Sequence, residues 1–474
     1  MAIKKVNNLT FAPMQFKNQA DTICALSTPS GVGALGVIRV SGDTAVEFVS
    51  KIFSKNLENA EGYSLHFGKI KNGDEIIDEV LLSVFRAPKS FTGEDVVEIS
   101  CHGSPFILSS VLKLLVEKGC RMAEPGEYSM RAFSHGKMDL SQAEAVADLI
   151  ASSSKAAHKL AMNQMRGKFS DQINKLREDL IHFASLVELE LDFSEEDVEF
   201  ADRDELRDLV KKIKVIVADL MNSFATGNAI KNGVPIAILG APNMGKSTLL
   251  NALLNEDRAI VSAIAGTTRD TIEDETVLDG VRFRFIDTAG IRETTDEIET
   301  IGISRAMETA KKAAVVLYLF DISTDNIEGV KAQIEKLRKE IGDEAEVLAV
   351  GNKKDLAQDS ENAQAAFADI KPFLALSAET GEGLEELKKF LVEASHALDV
   401  EGKEVVVTNI RHYEALKKTN QALDAVLHGL KSAITGDFLA IDIRRALQHL
   451  GEITGEITTD DLLGNIFSKF CIGK

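Results

Sequence analysis

The chain is predicted to be multidomain: an α+β N-terminal domain, an all-α helical domain, and an α/β domain inserted into the helical one. Three observations predict this. Residues 21–134 carry short alternating apolar runs punctuated by Gly and Pro, the period and punctuation of strands. From Ser141 to about Phe224, and again from His412 to Leu450, apolar positions recur at helical spacing with few breakers. Between these helical arms an apolar run, a glycine-rich turn and a second apolar run follow one another, which is the pattern of a strand–loop–helix unit. The predicted boundaries are a leader at 1–20, the α+β domain at 21–134, a discontinuous helical domain at 135–230 plus 396–474, and the insert at 231–395. Insertion is workable because domain termini usually lie close together.

Within the first domain, Cys24-Ala-Leu, Gly36–Val40, Glu79–Phe85 and Asp95–Ile99 read as strands, and Pro105–Lys118 reads as one helix. Ser141-Gln-Ala-Glu144 reads as a capping box. Leu206, Leu209, Val210, Ile213, Val217, Leu220 and Phe224 share one helix face, which suits core packing better than a partner groove.

The insert carries the chemistry. Val234–Leu239 is an apolar strand, Gly240-Ala-Pro-Asn-Met-Gly245-Lys246-Ser247 reads G-x4-G-K-S, and Ser247–Leu254 is helical. Glycines let backbone N–H groups turn toward phosphate oxygens, and a helix N-terminus adds partial positive charge. Lys246 is placed to reach the β- and γ-phosphates, and Ser247 to hold Mg²⁺. Met244, Gly245 and Thr248 complete the cradle. Further on, Glu346–Val350 reads as a buried strand closed by Asn352-Lys353-Lys354-Asp355. A carboxylate at Asp355 accepts from N1–H and N2–H₂ of guanine, a pattern adenine lacks. Phe373–Ala378 supplies another strand, whose tip at Ser377 and Ala378 reaches the same base. Val281–Ile286 alternates as a strand and ends in Asp287-Thr-Ala-Gly290. Asp287 would hold Mg²⁺ through water, the Gly290 amide would meet the γ-phosphate, and Thr268 would supply a second hydroxyl to Mg²⁺. Taken in order, these elements match a P-loop small-G-protein domain: a mostly parallel sheet with one antiparallel edge strand and its ligand at the strand C-termini.

In Ras-like proteins a glutamine after the D-x-x-G turn orients the attacking water. Ile291 stands here instead. Either hydrolysis is very slow, or an acid among Glu293, Asp296, Glu297 and Glu299 orients the water, or that loop is simply solvated. Asn243 offers a neutral oxygen that, with carbonyls of residues 262–267, could ligate a monovalent cation where other sites use an arginine finger.

These motifs, with Ser90–Glu98, Pro125–Phe133 and the terminal Phe470-Cys471-Ile-Gly-Lys474, resemble the MnmE (TrmE) family of tRNA wobble-uridine modification GTPases from Asp21 to Lys474. The resemblance implies K⁺-stimulated GTP hydrolysis in a homodimer. It also implies modification of carbon 5 of U34 with the flavoprotein MnmG in a heterotetramer, using formyl- or methylene-tetrahydrofolate. It places K⁺ at Asn243, Ser262, Ile264 and Thr267, where Ser262 and Ile264 could act through main-chain carbonyls, Mg²⁺ at Ser247 and Thr268, and catalysis at Glu299. It places folate at Arg39, Glu98, Lys137 and Lys474, and a modification role on Cys471. Read from the residues alone, Arg39 and Glu98 are an ordinary surface ion pair, worth little.

Composition narrows the partners. The 474 residues suffice for about three domains. A net charge of −20 argues against broad nucleic-acid affinity, so tRNA would bind locally or through a basic partner. No apolar run has the length of a membrane span, and residues 1–20 lack a signal-peptide core; the cytoplasm is expected, with no membrane partner. Four cysteines without C-x-x-C spacing point away from zinc and disulfides; Cys24, Cys101 and Cys120 sit in apolar segments as buried thiols, and Cys471 is free to be exposed. The competing function is a GTP-switched RNA or ribosome assembly factor without chemistry of its own. It would carry a basic module such as KH, and no G-x-x-G loop with basic flanks is evident. A folate-binding protein with a regulatory G domain is a third reading.

Overall fold

A computed structural model describes residues 21–192, 202–255, 274–286, 307–342, 345–357, 360–396, 405–432 and 436–473. The chain divides into two compact units, one drawn from within 1–150, 164–209 and 421–474, the other from within 151–163 and 210–420.

The first unit holds a six-stranded sheet built from β1 (Ile23–Leu26), β2 (Leu35–Ser41), β3 (Ser64–Asn72), β4 (Glu75–Phe85), β5 (Val96–His102) and β6 (Arg121–Met122), ordered β3-β4-β5-β2-β1-β6. All pairings are antiparallel except β1 with β6. The helix Pro105–Glu117 buries Leu108, Val111, Leu114 and Leu115 in the same core as Ile38, Val40, Leu82 and Ile99 of the sheet. Strand β3 is absent from the sequence reading for a physical reason. It is an edge strand whose Leu65 and Phe67 are 65% and 60% exposed while only Ile70 enters the core, so its apolar positions do not follow one buried face.

Two helices of this unit, Lys168–Asp192 and Gly436–Thr454, pack together. They run antiparallel, since Arg444 pairs with Glu188 at 2.7 Å and Arg177 with Glu456. The helix Leu140–Ala151 corrects the predicted capping box. Asp139 Oδ1 accepts from the Gln142 amide at 2.8 Å, and Gln142 Oε1 accepts from the Asp139 amide at 2.9 Å. The reciprocal box is therefore Asp139–Gln142, two residues earlier than Ser141–Glu144. Ser141 is instead buried, its carbonyl accepting from Gln164 at 3.0 Å.

The second unit holds a sheet ordered β12-β11-β10-β7-β9-β8, built from β7 (Val234–Leu239), β8 (Asp274–Leu278), β9 (Val281–Phe285), β10 (Val315–Asp321), β11 (Glu346–Asn352) and β12 (Phe373–Ala375). Only β8, at the edge, is antiparallel. The two faces are buried in separate cores. Ile236, Ile238, Leu317 and Leu319 face one with Leu249, Leu253 and Leu387, while Ala237, Val316 and Phe320 face the other with Ile334 and Leu337. That two-sided burial is why these strands read as continuous apolar runs. Among the described residues, the helical stripe predicted from Leu206 to Phe224 buries Leu206, Val210, Ile213, Val217 and Leu220, and half-buries Leu209 and Phe224.

Candidate functional site

The strand–loop–helix unit is formed by β7, the turn 240–245 and the helix Lys246–Asn255. The Leu249 amide donates to the Gly245 carbonyl at 2.9 Å and closes the first helical turn. Gly245 has φ +87°, and a Cβ there would lie 2.3 Å from Asn352 Nδ2; both conditions demand glycine. Lys246 Nζ donates to the carbonyls of Gly240 at 2.8 Å and Ala241 at 2.7 Å. No acid among the described residues pairs with it, and burial lowers its pKa from the usual lysine value. A half-buried ammonium held only by carbonyls at a helix N-terminus matches a polyphosphate. Ser247 and Thr248 follow on the first helical turn, half-buried, and Met244 packs against the core below. Asn243 is exposed with φ +63°.

The turn at residues 352–356, where the sequence places base recognition, is joined to this loop by one side chain. Asn352, at the end of β11, is 2% exposed. Its Nδ2 donates to the Met244 carbonyl at 2.8 Å, and its Oδ1 accepts from the Ala378 amide at 2.9 Å. Lys353 adopts φ +63° and its Nζ lies 2.8 Å from Asp321 Oδ2. Asp321 Oδ1 accepts from the amide and hydroxyl of Ser323 at 3.0 and 2.6 Å. Burial alone would raise the Asp321 carboxyl, but the bonds from Lys353 and Ser323 hold it below the usual range. Asp355 lies exposed in the 3₁₀ turn Lys354–Leu356. Lys354 pairs with Glu382 at 2.6 Å, and the fully buried Ser377 donates its amide to the Glu382 carbonyl at 2.9 Å. The cradle, Asn352, Lys353, Asp355, Ser377 and Ala378 thus gather at the C-terminal ends of β7, β10, β11 and β12. Asp321 and Glu382 were not singled out from sequence. The signal for Asp321 was present: it closes an apolar run, as Asn352 closes the next.

In the first unit, Arg39 and Glu98 are register partners on β2 and β5. Arg39 Nε and Nη2 both donate to Glu98 Oε1, at 3.0 and 2.8 Å. The guanidinium lies 5.3 Å from the Phe91 ring centroid and 5.6 Å from that of Tyr128, and Tyr128 Oη donates to the Arg39 carbonyl at 2.8 Å. A partly buried pair set against two aromatic rings differs from an ordinary surface ion pair, because the rings add cation–π contacts to the guanidinium. Lys137 is exposed and donates to the Pro88 carbonyl at 2.8 Å, three residues from Phe91.

The C-terminal segment returns to this sheet. The Gly126 amide meets the Cys471 carbonyl at 3.4 Å, and Ser27 Oγ donates to the Gly473 carbonyl at 3.2 Å. Gly473 has φ +94°, and a Cβ there would sit 2.3 Å from the Leu26 carbonyl oxygen. Cys471 is exposed, whereas Cys24, Cys101 and Cys120 are buried. Ser262, Ile264, Thr267, Thr268, Asp287, Gly290, Glu299 and Lys474 lie outside the described residues, as does the leader 1–20. Of the Mg²⁺ and K⁺ sets, only Ser247 and Asn243 are therefore placed. Among the described residues no cluster of three or more His, Cys, Asp or Glu could hold a metal, and no helix is long and apolar enough to cross a membrane.

Residues 140–471 match the family described as the MnmE helical domain, and residues 22–137 match the GTP-binding protein TrmE N-terminus. A tRNA modification GTPase MnmE of Christiangramia forsetii is 55% identical over 471 residues, covering 96% of this chain and 99% of that protein. The protein of the same name from Bacteroides thetaiotaomicron is 53% identical over 466 residues, with 96% and 99% covered. A crystal structure of the G domain of the T. maritima FeoB iron transporter is 25% identical with a TM-score of 0.25, over 34% of this chain and 98% of that one.

Proposed function

The chain belongs to the MnmE family of tRNA modification GTPases, and we propose how its residues divide the work of that activity. It is a GTP-hydrolysing enzyme of tRNA modification. Lys246 grips the β- and γ-phosphates, with Met244, Gly245, Thr248 and the Gly290 amide around them. Ser247, Thr268 and Asp287 would hold Mg²⁺, and Asn243, Ser262, Ile264 and Thr267 would hold K⁺. Cations held by these residues would supply positive charge against the charge that develops on the transferring phosphoryl group. Glu299 orients the attacking water. Asp355 reads guanine, while Asn352, Lys353, Ser377 and Ala378 fix its pocket.

In the N-terminal domain, proposed as 21–134, Glu98 accepts from the pteridine edge, and Arg39, Lys137 and Lys474 take the anionic tail of formyl- or methylene-tetrahydrofolate. Cys471 serves the modification of carbon 5 of U34, carried out in the cytoplasm by a homodimer with the flavoprotein MnmG. The helical domain at 135–230 plus 396–474 carries the G domain at 231–395 between its arms.

The observation that supports the nucleotide reading is the Lys246 ammonium, without an acid partner among the described residues, in a loop tied by Asn352 to the turn proposed to read the base. The test is turnover of GTP and ATP by the full chain in K⁺ and in Na⁺. GTP should be hydrolysed and ATP spared, with a sharp loss of rate in Na⁺. Equal turnover of ATP would remove Asp355 from purine selection, and equal rates in the two salts would remove the Asn243 cation site.

A further inference from the structure

A chain with 74 acidic residues and a net charge of −20 repels polyanions over most of its surface. Residues 149–170 break that rule. They contain Lys155, His158, Lys159, Arg166 and Lys168 and no Asp or Glu. The helix Lys155–Met165 displays the central part of this stretch. Its Leu160 and Ala161 are buried, while Lys155, His158 and Lys159 are exposed. Positions three and four apart share a helix face, so the three form one outward stripe. The Ser154 hydroxyl accepts from the Ala157 amide at 3.1 Å and fixes the start of the helix beneath them. Lys155 and Lys159 have no acid partner among the described residues, and Arg166, which follows in the chain, is likewise exposed and unpaired. What sets these lysines apart is the acid-free stretch around them: Lys51, Lys113 and Lys336, by contrast, each pair with a glutamate four residues away.

We propose that the Lys155–Lys159 face of this helix is a docking surface for the phosphodiester backbone of tRNA. The proposal rests on the tRNA-directed reading above and adds where the nucleic acid is held. Charge complementarity selects the occupant. The acid-free helix is about 16 Å long at 1.5 Å per residue, roughly two screening lengths in physiological salt, so phosphates meeting it are attracted by its lysines rather than repelled by acids of the same helix. A contact of this kind positions the backbone and carries no base information. It reconciles a strongly acidic protein with a polyanionic substrate, because binding is confined to one basic strip.

The test is anisotropy of a labelled, unmodified tRNA transcript titrated with the full chain across a range of salt. For the Lys155→Gln/Lys159→Gln protein, the slope of log affinity against log salt should become shallower by about two, one unit for each lysine. Lys155→Arg/Lys159→Arg should restore the wild-type slope. Basal GTP hydrolysis should be unchanged in both. Lys417→Gln/Lys418→Gln, which removes the same charge from exposed positions on another helix, should leave the slope near wild type. An unchanged slope in the Lys155/Lys159 variant overturns the proposal and leaves the face to solvent or to an acidic protein. An equal loss in the Lys417/Lys418 variant also overturns it, because the effect is then general charge. A wild-type chain without tRNA affinity removes the tRNA-directed reading itself, and the proposal with it.

Discussion

At the scale of single residues, the candidate nucleotide site is a set of partners chosen by what remains unpaired. Asp355 stands exposed while its neighbours are bonded: Asn352 to the phosphate loop, Lys353 to Asp321, Lys354 to Glu382. An acid left free at the end of a braced turn is available to a ligand. Asp355→Asn should exchange an acceptor pair for a mixed donor–acceptor pair, weakening GDP by about a hundredfold through two bonds to a charged group and improving xanthosine diphosphate; calorimetric titration with both nucleotides checks this. Asp321 makes a separate prediction. Its pKa is depressed by Lys353 and Ser323, so its contribution is complete above about pH 4, the ordinary carboxylate value, and is lost as pH falls through its lowered value. Protection of the Ser323 amide against hydrogen exchange should therefore decline at acid pH in the wild-type chain, and should be low and insensitive to pH in Asp321→Asn.

Much of the candidate nucleotide site was legible in sequence because the glycine-rich turn and the turn at residues 352–355 are contiguous strings at strand ends. Asp321 was not, because its role depends on Lys353, a partner 32 positions later. Arg39 and Glu98 show the same limit. Their pairing follows from the register of β2 with β5, and the aromatic rings that raise it above a surface ion pair come from residues 91 and 128, which no local pattern joins to position 39.

Among the elements, those buried on one or both faces announced themselves by period. The strands β7, β9 and β11 and the helix after the phosphate loop were read within a residue or two of their ends. Strand β10 has as clear an apolar run but was not singled out. Edge strand β3 sends only Ile70 into the core as a large side chain and leaves Leu65 and Phe67 exposed, too little to mark a period. The helix starting at Leu140 was read correctly as a helix and wrongly as to its cap, since Ser141 and Asp139 both offer a side-chain oxygen and only burial of Ser141 decides between them. Asp139→Ala should lower the stability of this unit by about 1 kcal/mol, whereas Glu144→Ala should not act through capping; thermal unfolding of the two variants distinguishes them.

For the whole molecule, the sequence pointed to three fold classes, and the two sheets are of the matching kinds: one mostly antiparallel, the other mostly parallel with one antiparallel edge strand. The residues proposed for the two parts of the activity are divided between the units: the glycine-rich turn belongs to one, and Cys471 with the Arg39–Glu98 pair to the other. Cys471→Ser should therefore leave GTP turnover at the wild-type rate while abolishing wobble-uridine modification. The check is nucleoside analysis of tRNA from cells carrying only the variant, alongside GTPase assays of the purified protein. Normal nucleoside content would make the exposed thiol a bystander. Gly473→Ala, which brings a Cβ against the Leu26 carbonyl, should impair modification by displacing the same segment.

The buried amide of Asn352 touches the phosphate loop with its nitrogen and the Ala378 strand tip with its oxygen. The glycine-rich turn and the turn proposed to read the base are consequently mechanically linked through one side chain: a change that shifts either loop drags the other. Selection for altered nucleobase preference in this protein should return substitutions in the glycine-rich turn as readily as in the pocket around the base.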